Sequence, residues 1–188
     1  MISSQKILKQ LRKVDCRSSK MNIEKVKKDI EKWIIEFLEV PHSELGNLPA
    51  CPYARSARIN QEYEVRIGND LYSDLVSLSI SGMENWKVII LAYKPSQYLP
   101  DVFSDIVNKA NQECLLKNDM IALEDHPDAP EIVNGISMNQ GTYAMAMVQS
   151  LSELNEKASL MAKTGFYDGW PEEYLHQVFK HRIDPRQP

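Results

Sequence analysis

The stretch Lys87-Val88-Ile89-Ile90-Leu91-Ala92-Tyr93 is the strongest indication of the fold in this sequence of 188 residues. It is a continuous apolar run rich in Val and Ile, without the alternation of polar residues that a half-exposed strand would show. Such a run is typical of a β-strand that is buried on both faces. A strand of this kind needs helices on either side of its sheet, so the sequence predicts an α/β (α+β) domain.

The segments around this strand repeat the alternation of strand and helix. Polar and apolar residues alternate in 63–67, which is typical of a strand, while 71–82 shows the spacing of an amphipathic helix. The further predicted strands are 120–123 and 143–148, and the further predicted helices are 3–14, 22–38, 101–116, 151–163 and one opening at Pro171. Together they predict about four strands in the order β-α-β-α-β-β-α, flanked by N- and C-terminal helices.

Composition indicates a small globular protein. Hydrophobic residues make up 43% of the chain and charged residues 26%, which is ordinary for a folded domain. No apolar run reaches the length of a membrane span, and no secretory signal is expected. The cysteines, Cys16, Cys51 and Cys114, are odd in number and far apart. That pattern argues against a disulfide framework and favours a reducing cytoplasm.

Charge is distributed unevenly along the chain. Residues 1–32 hold ten Lys or Arg and four Asp or Glu, whereas the remainder is acidic. We therefore expect a basic extension over 1–20, a single domain over 21–183 and a loose tail over 184–188. The basic segment lacks interleaved aromatic residues, so we expect a solvated helix face and not a nucleic-acid partner. Docking of a protein partner through the N- or C-terminal helices is the alternative.

One candidate site begins at Cys51. Pro52 fits the first position of a helix, which would place Cys51 at the N-cap, where the helix dipole favours a thiolate. Arg55 and Arg58 follow on the same helix and, with Tyr53, would hold a small anionic substrate. The competing interpretation is that Cys51 is an inert core cysteine and that the arginines form a solvated face.

His126 is the predicted partner of Cys51. It follows the strand 120–123 in the run Glu124-Asp125-His126-Pro127, and a nucleophilic thiol needs a nearby base. His42, nine residues before Cys51, is the other candidate base. Asn139 lies in the polar stretch 134–141, which we expect to line the pocket.

The acidic turn around His126 is also a candidate metal site. Its ligands would be Asp125, His126 and Asp128, supplemented by Glu124 and Glu131. Mixed imidazole and carboxylate ligands suit iron, manganese or zinc. The sequence contains no HExxH motif and no glycine-rich phosphate-binding motif, so neither a zincin-type site nor a standard nucleotide site is predicted.

Two resemblances involve the same residues. Cys51-Pro52-Tyr53-Ala54 resembles the Cys-Pro-Tyr-Cys motif of glutaredoxins and, with 55–59, the Cys-Pro-Phe-Ala helix start of omega-class glutathione transferases. In those families a buried strand runs into the cysteine, whereas 44–50 lacks a strand pattern. The chain is also similar to an uncharacterised bacterial domain-of-unknown-function family with a Cys-Pro-Phe-Ala-Lys signature. The residues matched are Trp33, Cys51, Pro52, Tyr53, Ala54, Arg55, His126 and Pro127.

The second resemblance implies that Cys51 and His126 belong to one site, but it brings no established activity. The first hypothesis is therefore a small cytosolic enzyme of unknown substrate with a Cys51–His126 site, in which Cys51 is a nucleophile or redox centre. The alternatives are a non-catalytic interaction module and a metal-dependent enzyme that uses the acidic His-Pro turn.

Overall fold

The structure, a computed structural model, describes residues 20–186. The predicted helix 3–14 and nearly all of the basic extension lie outside these residues. The strands are β1 (Pro41–His42), β2 (Leu48–Pro49), β3 (Tyr63–Ile67), β4 (Val88–Tyr93), β5 (Met120–Asp125), β6 (Ile132–Val133), β7 (Ile136–Ser137) and β8 (Ala144–Ser150). The helices are α1 (Ile23–Trp33), α2 (Ala54–Ile59), α3 (Leu71–Ser81), α4 (Pro100–Ala110), α5 (Leu151–Ala162) and α6 (Glu172–Val178).

The main sheet has four strands in the spatial order β3-β4-β8-β5. β3 and β4 are parallel, whereas β8 is antiparallel to both of its neighbours, β4 and β5. β4 is therefore an interior strand, as its continuous apolar run requires. The predicted α/β class and the order β-α-β-α-β-β-α are confirmed.

Helices cover both faces of this sheet. On β4, Leu91 and Tyr93 belong to the core formed with α3 and α4. Ile90 and Ala92 point to the opposite face and pack against the apolar side of α1, which includes Ile30. The alternation of side chains along a strand thus divides one apolar run between two cores.

Side-chain caps fix where several of these helices begin. The Asn22 side chain accepts the N–H groups of Glu24 and Lys25 at the start of α1, close to the predicted beginning of the helix at 22. Asp70 and Ser150 play the same part for α3 and α5. Each cap satisfies N–H groups that the first helical turn leaves without a partner.

Two helices widen into π-helical turns at their C-terminal ends. α1 continues as the π-helical turn Ile34–Leu38, and α4 continues as the turn Asn111–Leu115. π-helical turns are rare in proteins as a whole, and those that occur are often found at functional sites. Both of them border the cavity at the edge of β5 that is described below.

Two segments outside the predicted helices and strands contain short antiparallel ribbons. β1 pairs with β2 within 40–50, and β6 pairs with β7 within 125–141. Strands of two residues are too short for any alternation to be visible in the sequence. None of the helices within 20–186 has the length and apolar composition that a bilayer-spanning helix requires.

The C-terminal segment folds back onto the domain. Phe166, Tyr167, Leu175 and Phe179 belong to a buried hydrophobic cluster, and Leu175 comes from the predicted last helix. Beyond α6, Arg186 makes hydrogen-bonded ion pairs with Glu172 and Asp184. The residues just after α6 thereby become one wall of the cavity described next.

Candidate functional site

Cys51 lies in a turn that precedes α2. The helix begins at Ala54, whose N–H donates to the Cys51 carbonyl oxygen at 3.1 Å. The prediction that Pro52 opens the helix and that Cys51 caps it is therefore wrong. Pro52 instead occupies the turn between the thiol and the helix.

Burial raises the pKa of the Cys51 thiol. Hydrogen bonds from the backbone of Tyr53 and Ala54 and the positive charge of Lys157 act in the opposite direction but do not outweigh the loss of hydration. The expected low-pKa thiolate is thus not what this environment produces. The physical reason is that a buried thiol loses more from desolvating its anion than two N–H groups return.

Cys51 lines a cavity of about 330 Å³, here named the Cys51 cavity. Tyr53, Lys157 and Glu153 are among its other lining residues. The Lys157 ammonium lies 5.0 Å from the centre of the Tyr53 ring, within the range of a cation–π contact. The cation that acts on the thiol is therefore Lys157 of α5, not an arginine of α2.

The two arginines of α2 do not form an anion site with Cys51. Arg58 donates from Nε and Nη2 to the two carboxylate oxygens of Glu39, at 3.2 and 2.8 Å. This bidentate pair occupies the guanidinium face that an anion would use. Arg55 is exposed to solvent.

His126 is a buried residue whose ring nitrogens are both used. Its exposed fraction is 4%. Nδ1 accepts the N–H of Asp128 at 3.2 Å, and Nε2 lies 3.1 Å from the carbonyl oxygen of Tyr98. Because a carbonyl only accepts and an N–H only donates, the ring is the neutral tautomer protonated on Nε2. Its edge packs on the Phe103 ring, with 5.8 Å between the ring centres.

His126 therefore links the loop after β5 to the segment before α4, and it has no free nitrogen to act as a base. It contacts residues before and within α4, whereas Cys51 lines a cavity with α2 and α5. No hydrogen bond or ring contact within 20–186 joins the two side chains. The other candidate base, His42, has its Nε2 2.9 Å from the carbonyl oxygen of Phe37.

Asp125 and Asn139 tie the loop after β5 to the sheet. Asp125 accepts from Asn139 Nδ2 through one oxygen and from the Gln140 N–H through the other, each at 2.8 Å. Asn139 also accepts the N–H of Glu131 at 2.7 Å. Across residues 20–186, no three His, Cys, Asp or Glu side chains are grouped so that they could hold a metal ion. Asp125, His126 and Asp128, the predicted metal ligands, are therefore not arranged to bind a metal ion together.

A second cavity lies at the outer edge of β5. It has a volume of about 530 Å³ and is bounded by β5, α4, α6 and the residues that follow α6. This β5-edge cavity is within the size range of small-molecule sites. Its apolar lining includes Trp33, Leu38, Met138 and Met147.

Glu124 carries one of the cavity's two carboxyl groups that remain open to a ligand. Its Oε1 accepts the hydroxyl of Ser104 at 2.7 Å, and Ser104 in turn accepts from Asn108 at 3.3 Å. Its Oε2 is buried and has no hydrogen-bond partner in residues 20–186. Burial raises the pKa of Glu124, and the bond from Ser104 offsets part of that rise.

Glu131 carries the second carboxyl group that remains open to a ligand. Burial raises its pKa to about 7, and the nearby charges of Asp125 and Glu124 add to the rise. The Tyr174 hydroxyl donates to Glu131 Oε2 at 3.1 Å and lowers the pKa in part. A carboxyl group with this pKa is close to half protonated at neutral pH, which is the condition for efficient proton transfer in either direction.

Cationic and amide side chains also line the β5-edge cavity. Lys180 Nζ and His181 Nε2 both lie within hydrogen-bond distance of Asn108 Oδ1, at 3.1 and 3.2 Å. Arg182 is half-buried, and its guanidinium packs on the Phe179 ring with a separation of 5.0 Å. No carboxylate in residues 20–186 forms an ion pair with Arg182, and burial lowers its pKa.

Polar atoms without a partner are concentrated at this cavity. Four buried side-chain atoms of the described residues lack a hydrogen bond, and three of them belong to lining residues: Trp33 Nε1, Glu124 Oε2 and Arg182 Nε. Buried polar groups in folded proteins are almost always paired, so each exception needs an explanation. Ligand recognition is the explanation that their shared location favours.

Sequence reasoning named Glu124 and Glu131 as supplementary metal ligands, gave Trp33 no role in a site beyond the family resemblance, and did not name Arg182. A charged residue directly after the apolar strand run 120–123 was the available signal for Glu124. No local pattern marks Trp33 or Arg182, because they reach the cavity through the packing of distant segments.

No family model matches the chain, and comparison with curated proteins and with solved structures likewise gives no match. The candidate site therefore stands on its own geometry.

Proposed function

We propose that the protein is a small enzyme that carries out general acid–base chemistry on a ligand held in the β5-edge cavity. The observation that supports this most is the Glu131 carboxyl group, which faces a cavity of ligand size and has a pKa raised to about 7. Desolvated carboxyl groups with raised pKa values are characteristic of acid–base catalysts. The proposed catalytic site therefore lies in the β5-edge cavity, around Glu131, and not at Cys51 and His126.

In this proposal Glu131 is the catalytic residue that exchanges a proton with the ligand. Tyr174 is a positioning residue, because its hydroxyl holds Glu131 Oε2 and leaves the second oxygen for the ligand. Glu124, held by Ser104 through Oε1, offers Oε2 as a hydrogen-bond acceptor for the same ligand. The apolar lining excludes water and thereby strengthens these polar contacts.

The first experiment measures the titration of Glu131 directly. A ¹³C NMR titration of the glutamate side chains should show one carboxyl group with a midpoint near 7, and Glu131→Gln should remove that signal. Glu173→Gln, the same change at an exposed carboxyl group of α6, should leave it in place. A wild-type protein in which every glutamate titrates below about 5 would overturn the proposal.

The second experiment tests turnover. The full-length wild type, Glu131→Gln and Glu173→Gln are each incubated with a mixture of metabolites, and consumption is followed by mass spectrometry. Loss of a compound with wild type and Glu173→Gln, but not with Glu131→Gln, supports the proposal. Equal consumption by all three variants contradicts it.

A second candidate function rests on Cys51. Its thiol lines a cavity, receives two backbone hydrogen bonds and lies near the cation of Lys157. These features stabilise a thiolate, although burial opposes them. The candidate predicts that iodoacetamide labels Cys51 in the folded protein and that a ligand of the Cys51 cavity protects it. Labelling only after unfolding would remove this candidate.

A cytoplasmic location remains part of the proposal, supported by the free thiols of Cys51 and Cys114. The small anionic substrate expected at Arg55 and Arg58 is replaced by a ligand of the β5-edge cavity, because Glu39 occupies Arg58. A protein partner that docks through the N- or C-terminal helices remains a prediction.

A further inference from the structure

The polar groups of the β5-edge cavity fall into two classes of opposite charge. Glu124 and Glu131 are carried by β5 and the loop after it, and Lys180 and Arg182 by the segment after α6. A ligand with one charge would leave the other class of groups without a partner. The lining therefore calls for a ligand that carries both charges.

The atoms without partners specify what each end of that ligand must offer. Glu124 Oε2 is a buried acceptor and needs a donor. Arg182 Nε and Trp33 Nε1 are buried donors and need an acceptor. An ammonium group supplies the first and a carboxylate supplies the second, and both give charge-assisted hydrogen bonds.

The state of Arg182 strengthens the case for a carboxylate. Its hydrogen-bond partners are uncharged, namely the carbonyl oxygen of Leu154 at 3.4 Å from Nη2 and the side chain of Tyr167, and no carboxylate in the described part of the chain pairs with it. A half-buried guanidinium without an anion is costly, because it has lost hydration without gaining an ion pair. A bound carboxylate would restore that interaction.

The remaining surface selects the body of the ligand. Trp33, Leu38, Met138 and Met147 give the cavity an apolar region beside its charged groups. Methionine and aromatic side chains accommodate apolar groups of varied shape. The apolar part of the ligand would lie there, out of water.

We propose that the β5-edge cavity binds a small zwitterion of the amino-acid or short-peptide class, with an ammonium group at Glu124, a carboxylate at Arg182 and an apolar side chain against Trp33. The identity of the ligand rests on the proposed function only in using the same cavity. It needs neither proton transfer nor turnover.

Binding of matched probes to the full-length protein tests the proposal. Calorimetry and saturation-transfer NMR compare four probes: L-leucine, the dipeptide glycyl-L-leucine, isopentylamine and 4-methylpentanoate. The last two keep the apolar group but carry only the amine or only the carboxylate. At least one zwitterion should bind at least about tenfold more tightly than both single-charge probes. The better of leucine and the dipeptide identifies the source of the zwitterion.

Two variants assign the ends of the ligand. Glu124→Gln should weaken binding of the zwitterion at least about tenfold and remove its advantage over 4-methylpentanoate. Arg182→Gln should remove the advantage over isopentylamine. Glu173→Gln and Arg66→Gln are the matched controls, because they change half-exposed or exposed groups away from the cavity. Thermal unfolding curves confirm that each variant is folded.

Three outcomes would overturn the inference. They are the absence of zwitterion binding up to about 10 mM, equal affinity for the zwitterion and the single-charge probes, and equal losses in the site and control variants. Failure of the proposed function is a different result. A zwitterion that binds but is never consumed contradicts the catalysis alone, and turnover of a compound that is not zwitterionic contradicts this inference alone.

Discussion

Ala122 and Glu124 are two residues apart on β5, yet they differ in how completely their polar groups are hydrogen-bonded. The backbone N–H and C=O of Ala122 are both bound by the Asn111 side chain, at 2.8 and 3.0 Å. Asn111 thus acts in place of a neighbouring strand at this edge. At Glu124, by contrast, one carboxylate oxygen is bound by Ser104 and the other has no partner in residues 20–186.

The contrast separates structural polar groups from those available for a ligand. A sheet edge presents unpaired N–H and C=O groups, and proteins commonly cover them. Asn111 does this from the first residue of a π-helical turn, which places its amide against β5. A polar group whose hydrogen bonds are all satisfied therefore has a structural role. A polar group in the adjoining cavity that lacks a partner indicates ligand recognition.

His126 belongs with Ala122 in this comparison. Both of its ring nitrogens are paired, and it is as buried as the core around it. Glu131 belongs with Glu124, because desolvation raises its pKa and one oxygen remains available. The predictions below test these assignments, from the largest expected effect to the smallest.

Replacing Asn111 should have the largest effect. Asn111→Leu removes both bonds to Ala122 and leaves a buried N–H and a buried C=O without partners, so the free energy of unfolding should fall by about 3 kcal/mol. Urea denaturation followed by circular dichroism measures the loss. Asn118→Leu is the control, because Asn118 is exposed and bonds only one helical carbonyl. Similar losses in the two variants would show that Asn111 does not seal the edge.

Glu131 should make the stability depend on pH. Its pKa is raised above the value of about 4.5 expected in the unfolded chain, so the folded state binds the proton more tightly. The stabilisation is complete below about pH 4.5 and is lost as pH rises through about 7. The difference in unfolding free energy between wild type and Glu131→Gln should therefore change by about 3 kcal/mol between pH 4.5 and pH 8. Urea titrations at fixed pH values measure it.

Glu173→Gln provides the control for that experiment. Its carboxyl group is exposed on α6, so the difference from wild type should stay constant over the same pH range. A constant difference for Glu131→Gln as well would mean that Glu131 titrates as an ordinary surface residue. The acid–base proposal would then lose its main support.

Ser104 should have a smaller effect, confined to the Glu124 side of the comparison. Ser104→Ala removes the hydrogen bond to Glu124 Oε1, which favours the charged carboxylate, so the pKa of Glu124 should rise further. We expect a loss of about 1 kcal/mol at pH 8 and a smaller loss at pH 5, measured by urea denaturation. In a Glu124→Leu background the pH dependence of the loss should disappear. Ser159→Ala, at an exposed helical serine, is the matched control.

The sequence was sufficient for the sheet and insufficient for the site, for a physical reason. β4 could be predicted because burial on both faces leaves a continuous apolar run, and α1 because Asn22 and its apolar spacing are local signals. The position of β8 between β4 and β5 is a pairing of distant segments that no local pattern specifies. It decides which strand carries the free edge, and so where the cavity lies.

The Cys51 site illustrates the same limit. A proline after a cysteine indicates a helix start, but the turn through Pro52 and Tyr53 delays the helix to Ala54. The sign of the pKa shift depends on how much of the thiol is desolvated, which is a property of the way in which distant segments, α2 and α5 among them, enclose the Cys51 cavity. The residue types were informative, whereas their distances and burial were not available from the sequence.

The smallest expected effect tests whether His126 acts on Cys51 at all. Because both ring nitrogens of His126 are paired and Cys51 lines a separate cavity, His126→Asn should leave the pH midpoint of Cys51 labelling by iodoacetamide unchanged. Lys157→Met should raise that midpoint, because it removes the cation that favours the thiolate. A shift with His126→Asn that equals or exceeds the shift with Lys157→Met would place His126 in contact with the thiol in solution. His126 would then belong with Glu124 as a functional group, and complete hydrogen bonding would no longer separate the two classes.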